Sequence, residues 1–433
     1  MFSKKICFIS IFLTAAVSGC GEKQRIQEVP QSNETLEICC LESDQSLYVA
    51  SSVLKFQQEY PDVDTRVRVI SDSSAMEEAE RLETELMGGN GADIYLGMEN
   101  YFRDIYKMQK AGYFEDLMPW FRETENFSRE DYVEGTFDLY EDEDVCYVMP
   151  TYISSLAWAC PDTVRETLDL QVERWEDTDD ILRAIEKFYT VWPEETAFSK
   201  GAPFYLEPGM MGFRIWQENV EIFDGDNLRR MEESYKRQVY PHGESVFHMD
   251  YEQYVQELEA AIQGMRPCLG VPFGITYLDA YIRMGGEEHA EVFPAFTPAG
   301  KIGTICSFQN AISSQSRNKE NAFRFLQILL EDNWKNTAVE TVRKDVNQEL
   351  LEGLKLQYTR EQVTVNGEVY PGLTEKTFSI LKEWEERKEI YALGVTEINE
   401  KYNEIMEAFY TDKKEYEECI EEYKDYLKIY YSE

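Results

Sequence analysis

The stretch from residue 36 to 120 most constrains the fold, because strand-like and helix-like patterns alternate there with short connections. Leu36–Leu41 is almost wholly apolar, which is typical of a strand covered on both faces, as in a parallel sheet. Residues 46–60 have apolar side chains at helical spacing, and Pro61 stops the predicted helix. Thr65–Ile70 alternates charged residues with valine, which favours a strand nearer the sheet edge.

The same alternation continues over the next residues. Ser74 and Glu77 have the spacing of a capping box, in which both side chains satisfy backbone N–H groups, and so predict a helix start. Residues 92–97 (ADIYLG) predict a third strand, and residues 101–110 predict a third helix. Repeated strand–helix–strand units build an open α/β sheet with right-handed connections. Such a sheet binds its ligand beyond the carboxyl ends of its strands.

Length and charge limit what this chain can be. With 433 residues it exceeds what one hydrophobic core usually serves, so we expect two lobes. Hydrophobic residues make up 43%, which indicates a globular body. The net charge of −40 argues against binding to nucleic acid and against docking on anionic lipid through side chains. In so acidic a chain, neighbouring acids such as Asp142 and Asp144 gain no catalytic role from proximity alone.

The nine cysteines do not form a recognisable framework. Cys7 lies in the N-terminal leader and Cys20 ends it, which leaves an odd number of scattered cysteines without a zinc-type CxxC pair. We therefore expect mostly buried free thiols. One bridge, for example between Cys146 and Cys160, stays open at this point.

Residues 1–20 form a processing segment. Lys4 and Lys5 provide its basic region, and the apolar region that follows is too short to span a bilayer. Small residues directly before Cys20 resemble the bacterial lipobox, whose cysteine receives a diacylglyceryl group; an ordinary secretory leader with a chance cysteine is the alternative. Residues 21–35 are polar and unpatterned, as in a flexible tether.

The remainder of the chain predicts a second lobe and a helical end. Pro150 interrupts a strand-like run over residues 145–159, which predicts two strands joined at a bend where the chain leaves the first lobe. Residues 292–313 predict its return to that lobe. Beyond residue 330 the pattern is almost entirely helical, and residues 412–431 have an apolar stripe that packs against a lobe.

Several motifs, taken in order, resemble the extracellular solute-binding protein family of ABC importers, in its carbohydrate-type group that includes maltose-binding protein. Together they cover nearly the whole mature chain, although residues 175–264 match only in outline and leave the ligand open. The matching pieces are the lipobox at Cys20, FQQEYP at 56–61, GADIYL at 91–96, GYFEDL at 112–117, the Pro150 crossover, AISSQSRNKENAFRFL at 311–326 and the closing helix at 416–433.

This resemblance implies an α/β, type II periplasmic-binding-protein-like fold. Two lobes, each an open and mostly parallel sheet flanked by helices, are joined by a multi-segment hinge. It assigns residues 36–147 and 296–350 to the N-terminal lobe, and 148–295 and 351–433 to the C-terminal lobe. A monomer without cofactor or metal holds a small solute, a sugar or oligosaccharide, in the cleft and delivers it to ABC permease subunits. The lipid anchor places it outside the cytoplasmic membrane, as in a Gram-positive bacterium.

Candidate ligand-contacting residues follow the strands that face this cleft. Sugar recognition uses aromatic faces against the apolar side of a ring, and planar acceptors or donors for its hydroxyl groups. For each aromatic residue, core packing is the alternative, as we expect for Trp158; for each acid it is an exposed surface position. The candidates are Glu42, Ser43, Glu99 and Asn100 from the first lobe, Tyr152 and Ser154 from the crossover, and Trp216, Tyr277 and Asp279 from the second lobe.

Two other functions stay open. The sequence contains no HExxH, GxSxG or P-loop motif, and His242, His248 and His289 lack metal-ligand spacing. A lipid-anchored carbohydrate-active hydrolase would nevertheless need only two carboxylates at a suitable separation. The third possibility is a surface lipoprotein with an adhesive or structural role outside transport.

Overall fold

The computed structural model describes residues 35–45, 49–137, 145–198, 226–240, 251–297, 300–332, 339–391 and 396–432. Cys20 and Trp216 lie outside these residues. The chain from residue 34 onward forms one compact unit. Within the described ranges, no helix has both the length and the apolar character required to cross a bilayer.

The described strands fall into a large sheet, a small sheet and a hairpin. Their bounds are β1 Leu36–Leu41, β2 Thr65–Ile70, β3 Ile94–Tyr95, β4 Met149–Ser155, β5 Ala157–Pro161, β6 Val271–Phe273, β7 Ala290–Pro294, β8 Ile302–Ile312, β9 Glu340–Thr341, β10 Gln362–Val365, β11 Glu368–Pro371 and β12 Lys388–Tyr391.

The described helices cover these sheets and dominate the end of the chain. Their bounds are α1 Glu42–Asp44, α2 Ala50–Glu59, α3 Ala75–Met87, α4 Ile105–Lys110, α5 Met118–Glu123, α6 Asp162–Thr167, α7 Thr178–Val191, α8 Asp226–Val239, α9 Tyr251–Ile262, α10 Leu278–Arg283, α11 Lys319–Asp332, α12 Lys344–Tyr358, α13 Glu375–Glu385, α14 Thr396–Tyr410 and α15 Tyr416–Tyr430.

The large sheet has the order β2-β1-β3-β8-β4-β9, with β12 beside β8. β1 pairs in parallel with β2 and β3, and β2 lies at the edge, as its alternation of charged and apolar residues predicted. β8 runs antiparallel to both β3 and β4. One hydrophobic core covers this sheet, with Phe56 of α2 and Phe325 and Leu326 of α11 fully buried in it.

The small sheet separates two further hydrophobic cores. β5 pairs antiparallel with β6 and β7, and its side chains alternate between the two faces. Trp158 and Cys160 pack in a core with α14 and α15, whereas Ala157 and Ala159 pack in a core with α10, α12 and α13. Trp158 is therefore a core residue, as the sequence predicted.

The crossover bends at a different residue from the one predicted. Pro150 lies inside β4, opposite Gln309 of β8, and the ladder continues to Ser155. The break falls at Leu156, between β4 and β5. The prediction was wrong because antiparallel pairing with β8 carries β4 past the proline before the chain enters the small sheet.

The segment after residue 330 is less helical than predicted. It contains β9, β12 and the hairpin β10–β11, whose turn is Asn366–Gly367 with φ of 51° and 85°. An Asn-Gly pair favours this turn because both residues tolerate positive φ. The dipeptide was therefore the sequence signal for the hairpin that the helical pattern hid.

Two local predictions have clear outcomes. Ser74 precedes α3 but makes no side-chain cap, so the capping box is wrong. Its φ of −119° and ψ of 8°, at the end of a preceding 3₁₀ turn, depart from the extended conformation of a capping residue. The prediction of buried thiols is confirmed: the described cysteines, including Cys146 and Cys160, are buried and form no disulfide bond.

Candidate functional site

The carboxyl ends of β1 and β3 lie side by side in the large sheet. α1 follows β1 directly, and a 3₁₀ turn, Met98–Asn100, follows β3. Gly97, between β3 and this 3₁₀ turn, has φ of 61°. A Cβ atom at this position would lie 2.8 Å from Asp44 Oδ2 and 3.1 Å from the Phe308 ring. Only glycine fits this turn, and Asp44 and Phe308 both lie against it.

Asp44 is an acid with unused hydrogen-bonding capacity at this position. Its side chain is buried, and its Oδ2 atom has no hydrogen-bond partner among the described residues. Burial, with a smaller effect of Asp72, raises the pKa of Asp44 to about 6. Asp72 itself accepts a 2.9 Å hydrogen bond from the Ser43 hydroxyl. Unsatisfied buried acids of this kind are found preferentially at functional sites.

Glu99 binds the backbone of β8. Its carboxylate accepts the N–H groups of Phe308, at 2.5 Å, and Gln309, at 2.9 Å. Burial raises the pKa of Glu99 to about 7, and these hydrogen bonds oppose the shift. Phe308 has φ of 57°, an unusual conformation for a bulky residue, and Glu99 stabilises it. In this structure Glu99 fixes the turn in β8.

Tyr152 links this strand end to the crossover. Its ring lies 5.0 Å from the Phe308 ring and is buried. Ser154, two residues further along β4, projects from the same side of the strand and is exposed. The side chains of β4 therefore lead from the carboxyl ends of the first strands toward the small sheet.

A cavity of about 80 Å³ lies where β4 enters the small sheet. Ser154 and Tyr277, two of the predicted candidates, line it together with Trp384 at the end of α13. Tyr277 is 38% exposed, which leaves its ring available to a solute. The other lining residues are Ile153, Ser155, Ala157, Phe273, Gly274, Ile275, Thr276, Val339, Glu340, Leu381, Glu385 and Lys388.

A buried group of three charged residues, which we call the ion triad, borders this cavity. Lys388 donates to both Glu340 and Glu385, and its side chain is only 2% exposed. Asn347 donates to the second oxygen of Glu385 at 3.1 Å. Burial raises the pKa of Glu340, and the attraction of Lys388 opposes this shift. The triad joins β9, α13 and β12, and no sequence pattern predicted it.

The other candidates among the described residues lie outside the cavity lining. Glu42 and Asn100 are exposed beside the strand ends, and Ser43 is bonded to Asp72. Asp279 accepts a 2.9 Å hydrogen bond from the Tyr358 hydroxyl of α12. Within the described ranges, no cluster of three or more His, Cys, Asp or Glu residues could hold a metal ion.

Solved structures of similar fold cover nearly the whole chain, although no protein-family profile and no curated protein sequence matches it. An ABC substrate-binding protein of Listeria monocytogenes in complex with cycloalternan is 13% identical, with a TM-score of 0.56 over 92% of this chain and 99% of that one. The sugar-binding protein MalE of Xanthomonas citri is 12% identical, with a TM-score of 0.58 over 91% and 96%. The chain has the two-lobe fold of these binding proteins.

A third match agrees with this fold. An ABC transporter solute-binding protein of Thermotoga lettingae bound with alpha-D-tagatose is 15% identical, with a TM-score of 0.51 over 91% of this chain and 98% of that one. Likeness at such identities establishes the architecture: a periplasmic-binding-protein fold of mixed α/β type.

Proposed function

We propose that this chain is an extracellular solute-binding lipoprotein. It captures a small solute, a sugar or oligosaccharide, between its lobes and delivers it to the permease subunits of an ABC transporter. The observation that carries the proposal is the cavity at the crossover, where Ser154 from β4 meets Tyr277 and Trp384 from the other side. We therefore interpret this cavity as part of the solute cleft.

The cavity has the chemistry that sugar binding requires. Tyr277, which is 38% exposed, offers an aromatic face for the apolar side of a sugar ring, and Ser154, Ser155 and Thr276 offer hydroxyl groups. Closure of two lobes around a solute buries it from both sides, so that neither lobe provides the affinity alone. The solute favours the closed form to the extent that it binds that form more tightly.

The proposed lobes are residues 36–147 with 296–350, and residues 148–295 with 351–433. The distribution of the cores supports this division in part, because Met149, Tyr152 and Ile153 of β4 still pack with the first sheet. Cys306, Phe308 and Val342 pack with the first sheet, whereas Leu354 packs with the small sheet. Leu350 and Leu351 pack with the small sheet, and we therefore propose a second boundary within a few residues of 350.

The proposed anchor is a diacylglyceryl group on Cys20, which holds the protein at the outer face of the cytoplasmic membrane. Two acyl chains suffice for stable anchoring without a basic patch, which suits a chain of net charge −40. We expect Cys20→Ala to release the protein from membranes in a fractionation assay, and Cys7→Ala, the matched control, to leave it bound. Retention of the Cys20→Ala variant would contradict the anchor.

A glycan panel tests the binding function. A sugar at a hundred times its dissociation constant stabilises the folded protein by roughly 2.7 kcal/mol in thermal unfolding, and it is recovered unchanged. Cleavage of a glycan, abolished by substitution of one Glu or Asp, would instead establish a hydrolase. If every small solute failed and a partner protein were captured instead, the chain would be an adhesive lipoprotein.

The cavity itself is tested by Tyr277→Ala. Removal of the aromatic face weakens sugar binding about fivefold, corresponding to roughly 1 kcal/mol, while the unfolding midpoint of the empty protein stays nearly unchanged. Tyr370→Ala, on the hairpin and outside the cavity lining, is the control and retains full affinity. Equal affinity of the two variants would remove Tyr277 from the site.

A further inference from the structure

The cavity at the crossover has an excess of negative charge. Of its lining residues only those of the ion triad carry a formal charge near neutral pH, with two carboxylates, when both are ionised, against one ammonium group. The Lys388 ammonium group already binds both carboxylates and is 2% exposed, so it is committed to the triad. The carboxylate side chains are 12% and 9% exposed, which leaves part of their surface toward the cavity.

The other strand ends near the crossover are acidic as well. Asp44 lies at the carboxyl end of β1. Burial and, to a smaller extent, the charge of Asp72 both raise its pKa. The charge of Asp44 in turn raises the pKa of Glu99, which follows the end of β3. The charges that raise the pKa of these two acids are themselves carboxylates, Asp72 for Asp44 and Asp44 for Glu99. Among the described residues, both observations point to a cleft lining without a cation placed to receive an anionic group.

We infer that the cleft selects its solute by charge: it takes uncharged polyhydroxylated solutes, and it rejects uronates, sugar phosphates and other anions. Glu340 and Glu385 serve as hydrogen-bond acceptors for solute hydroxyl groups. Lys388 is a positioning residue that holds these carboxylates in place and ionised. The inference rests on the proposed solute cleft and narrows its substrate class.

The physical reason is the weak screening of a buried charge. A charge a few ångströms away in a partly buried site interacts several times more strongly than in water. One excess carboxylate therefore disfavours an anion by roughly tenfold or more in binding constant relative to an isosteric neutral group. An anion would also lose its hydration in the closed cleft without gaining an unpaired cation.

A cysteine at residue 154 measures this potential without any solute. Ser154 is exposed, so Ser154→Cys leaves the fold intact, and the cysteines of the described residues are buried. The full chain in detergent at pH 8 is treated with a cationic and an anionic methanethiosulfonate reagent. We expect the ratio of their rates to favour the cation about tenfold more at residue 154 than at Ser51→Cys, an exposed control on α2. Equal ratios would overturn the inference.

Isosteric variants test whether the ion triad is the source. Glu340→Gln in the Ser154→Cys background lowers the preference for the cationic reagent, and Glu385→Gln does so independently if the first variant folds poorly. Glu233→Gln, on the exposed side of α8, leaves the ratio unchanged. A preference that survives both triad variants would assign the potential to other residues and overturn the role of the triad.

Paired sugars test the consequence for binding. Each neutral hexose is compared, by calorimetry at pH 8, with the uronic acid that differs from it only at C6. We expect the neutral sugar to bind at least tenfold more tightly, and a uronate that binds equally well would overturn the inference while leaving the binding function in place. If no sugar binds at all, the sugar assignment fails, and the cysteine rates still decide the charge of the cleft.

Discussion

Two buried carboxylates in this molecule have different partners and, in consequence, different roles. Glu340 lies in the ion triad at the crossover, where the charged Lys388 contacts it. Glu232 of α8 lies in the helical core and accepts hydrogen bonds from the hydroxyl groups of Tyr402 and Tyr410, the latter at 2.5 Å. Burial raises the pKa of both carboxyls, to about 7 for Glu232, and the charge of Lys388 opposes the shift at Glu340.

The difference in partners indicates which of the two buried carboxylates remains charged. Around Glu232 all partners are neutral, so protonation removes the buried charge and leaves no other charge unpaired. Around Glu340 a proton would leave Lys388 with a weaker counter-charge beside the cavity. We therefore interpret Lys388 as the counter-charge that keeps Glu340 ionised beside the cavity. Glu232 only joins helices, and neutral hydroxyl groups suffice as its partners.

The largest effect is expected from removal of the cation. Lys388→Met leaves Glu340 and Glu385 buried together without their partner, and we expect a loss of about 3–5 kcal/mol in the free energy of unfolding at pH 8. Denaturant titration measures it. Lys301→Met, in an exposed pair with Glu134 at 2.9 Å, is the control and changes stability by about 1 kcal/mol or less. Similar values for both variants would show that the triad adds no more than a surface pair.

The second effect is the pH dependence that Glu232 contributes. Its pKa is about 7 in the folded protein and 4.5 ordinarily, so the folded state holds the extra proton between these values. Stability from this group is complete below pH 4.5 and is lost as pH rises to 7, by up to about 3 kcal/mol. Glu232→Gln removes this slope, whereas Glu233→Gln, its exposed neighbour, retains it. A wild-type profile parallel to that of Glu232→Gln would contradict the account.

A smaller pH dependence of the same sign is expected at Asp44. Its pKa of about 6 in the folded protein exceeds the ordinary 3.8. The contribution of Asp44 to the free energy of unfolding therefore falls as pH rises from 3.8 to 6. Asp44→Asn removes the buried charge and stabilises the empty protein at pH 8 by about 2 kcal/mol. Chemical unfolding at pH 8 and pH 3.5 checks this, because the gain vanishes at the lower pH. A loss of stability at pH 8 would mean that Asp44 has a partner.

The smallest effect is expected at the hydrogen bond between the Tyr430 hydroxyl group and the Asp104 carboxylate. Tyr430 at the end of α15 donates to Asp104 Oδ2 at 2.9 Å, and the Lys107 ammonium group lies 4.4 Å from the centre of the Tyr430 ring. Tyr430→Phe removes only the hydrogen bond, and we expect a loss of about 1 kcal/mol in thermal unfolding. Tyr430→Ala also removes the ring contact and destabilises more. Identical values for both variants would show that the ring contributes nothing.

Local sequence patterns predicted the elements that have one dominant periodicity. β1 and β2 have the predicted bounds, because a continuous apolar run and a charge–valine alternation each match one kind of strand. β3 is shorter than residues 92–97, since only Ile94 and Tyr95 find partners on both sides. Pairing partners are a tertiary property, which residue spacing does not contain.

The candidate site was predictable in its residue types and only partly in its members. Ser154 and Tyr277 were selected because they follow strands, and they line one cavity. Trp384 and Lys388 were hidden in a run of charged residues that has helical spacing. Lys388 belongs instead to β12, whose pairing with β8 brings it beside Glu340, 48 residues earlier in the chain.

The central claim is that two hinged lobes close on a solute and release it unchanged. Solution X-ray scattering of the chain from residue 21 onward, with and without a sugar that stabilises it, tests this claim most directly. We predict a smaller radius of gyration on addition of the sugar, with the sugar recovered intact. An unchanged radius of gyration at saturation, or conversion of the sugar into a product, would contradict the account.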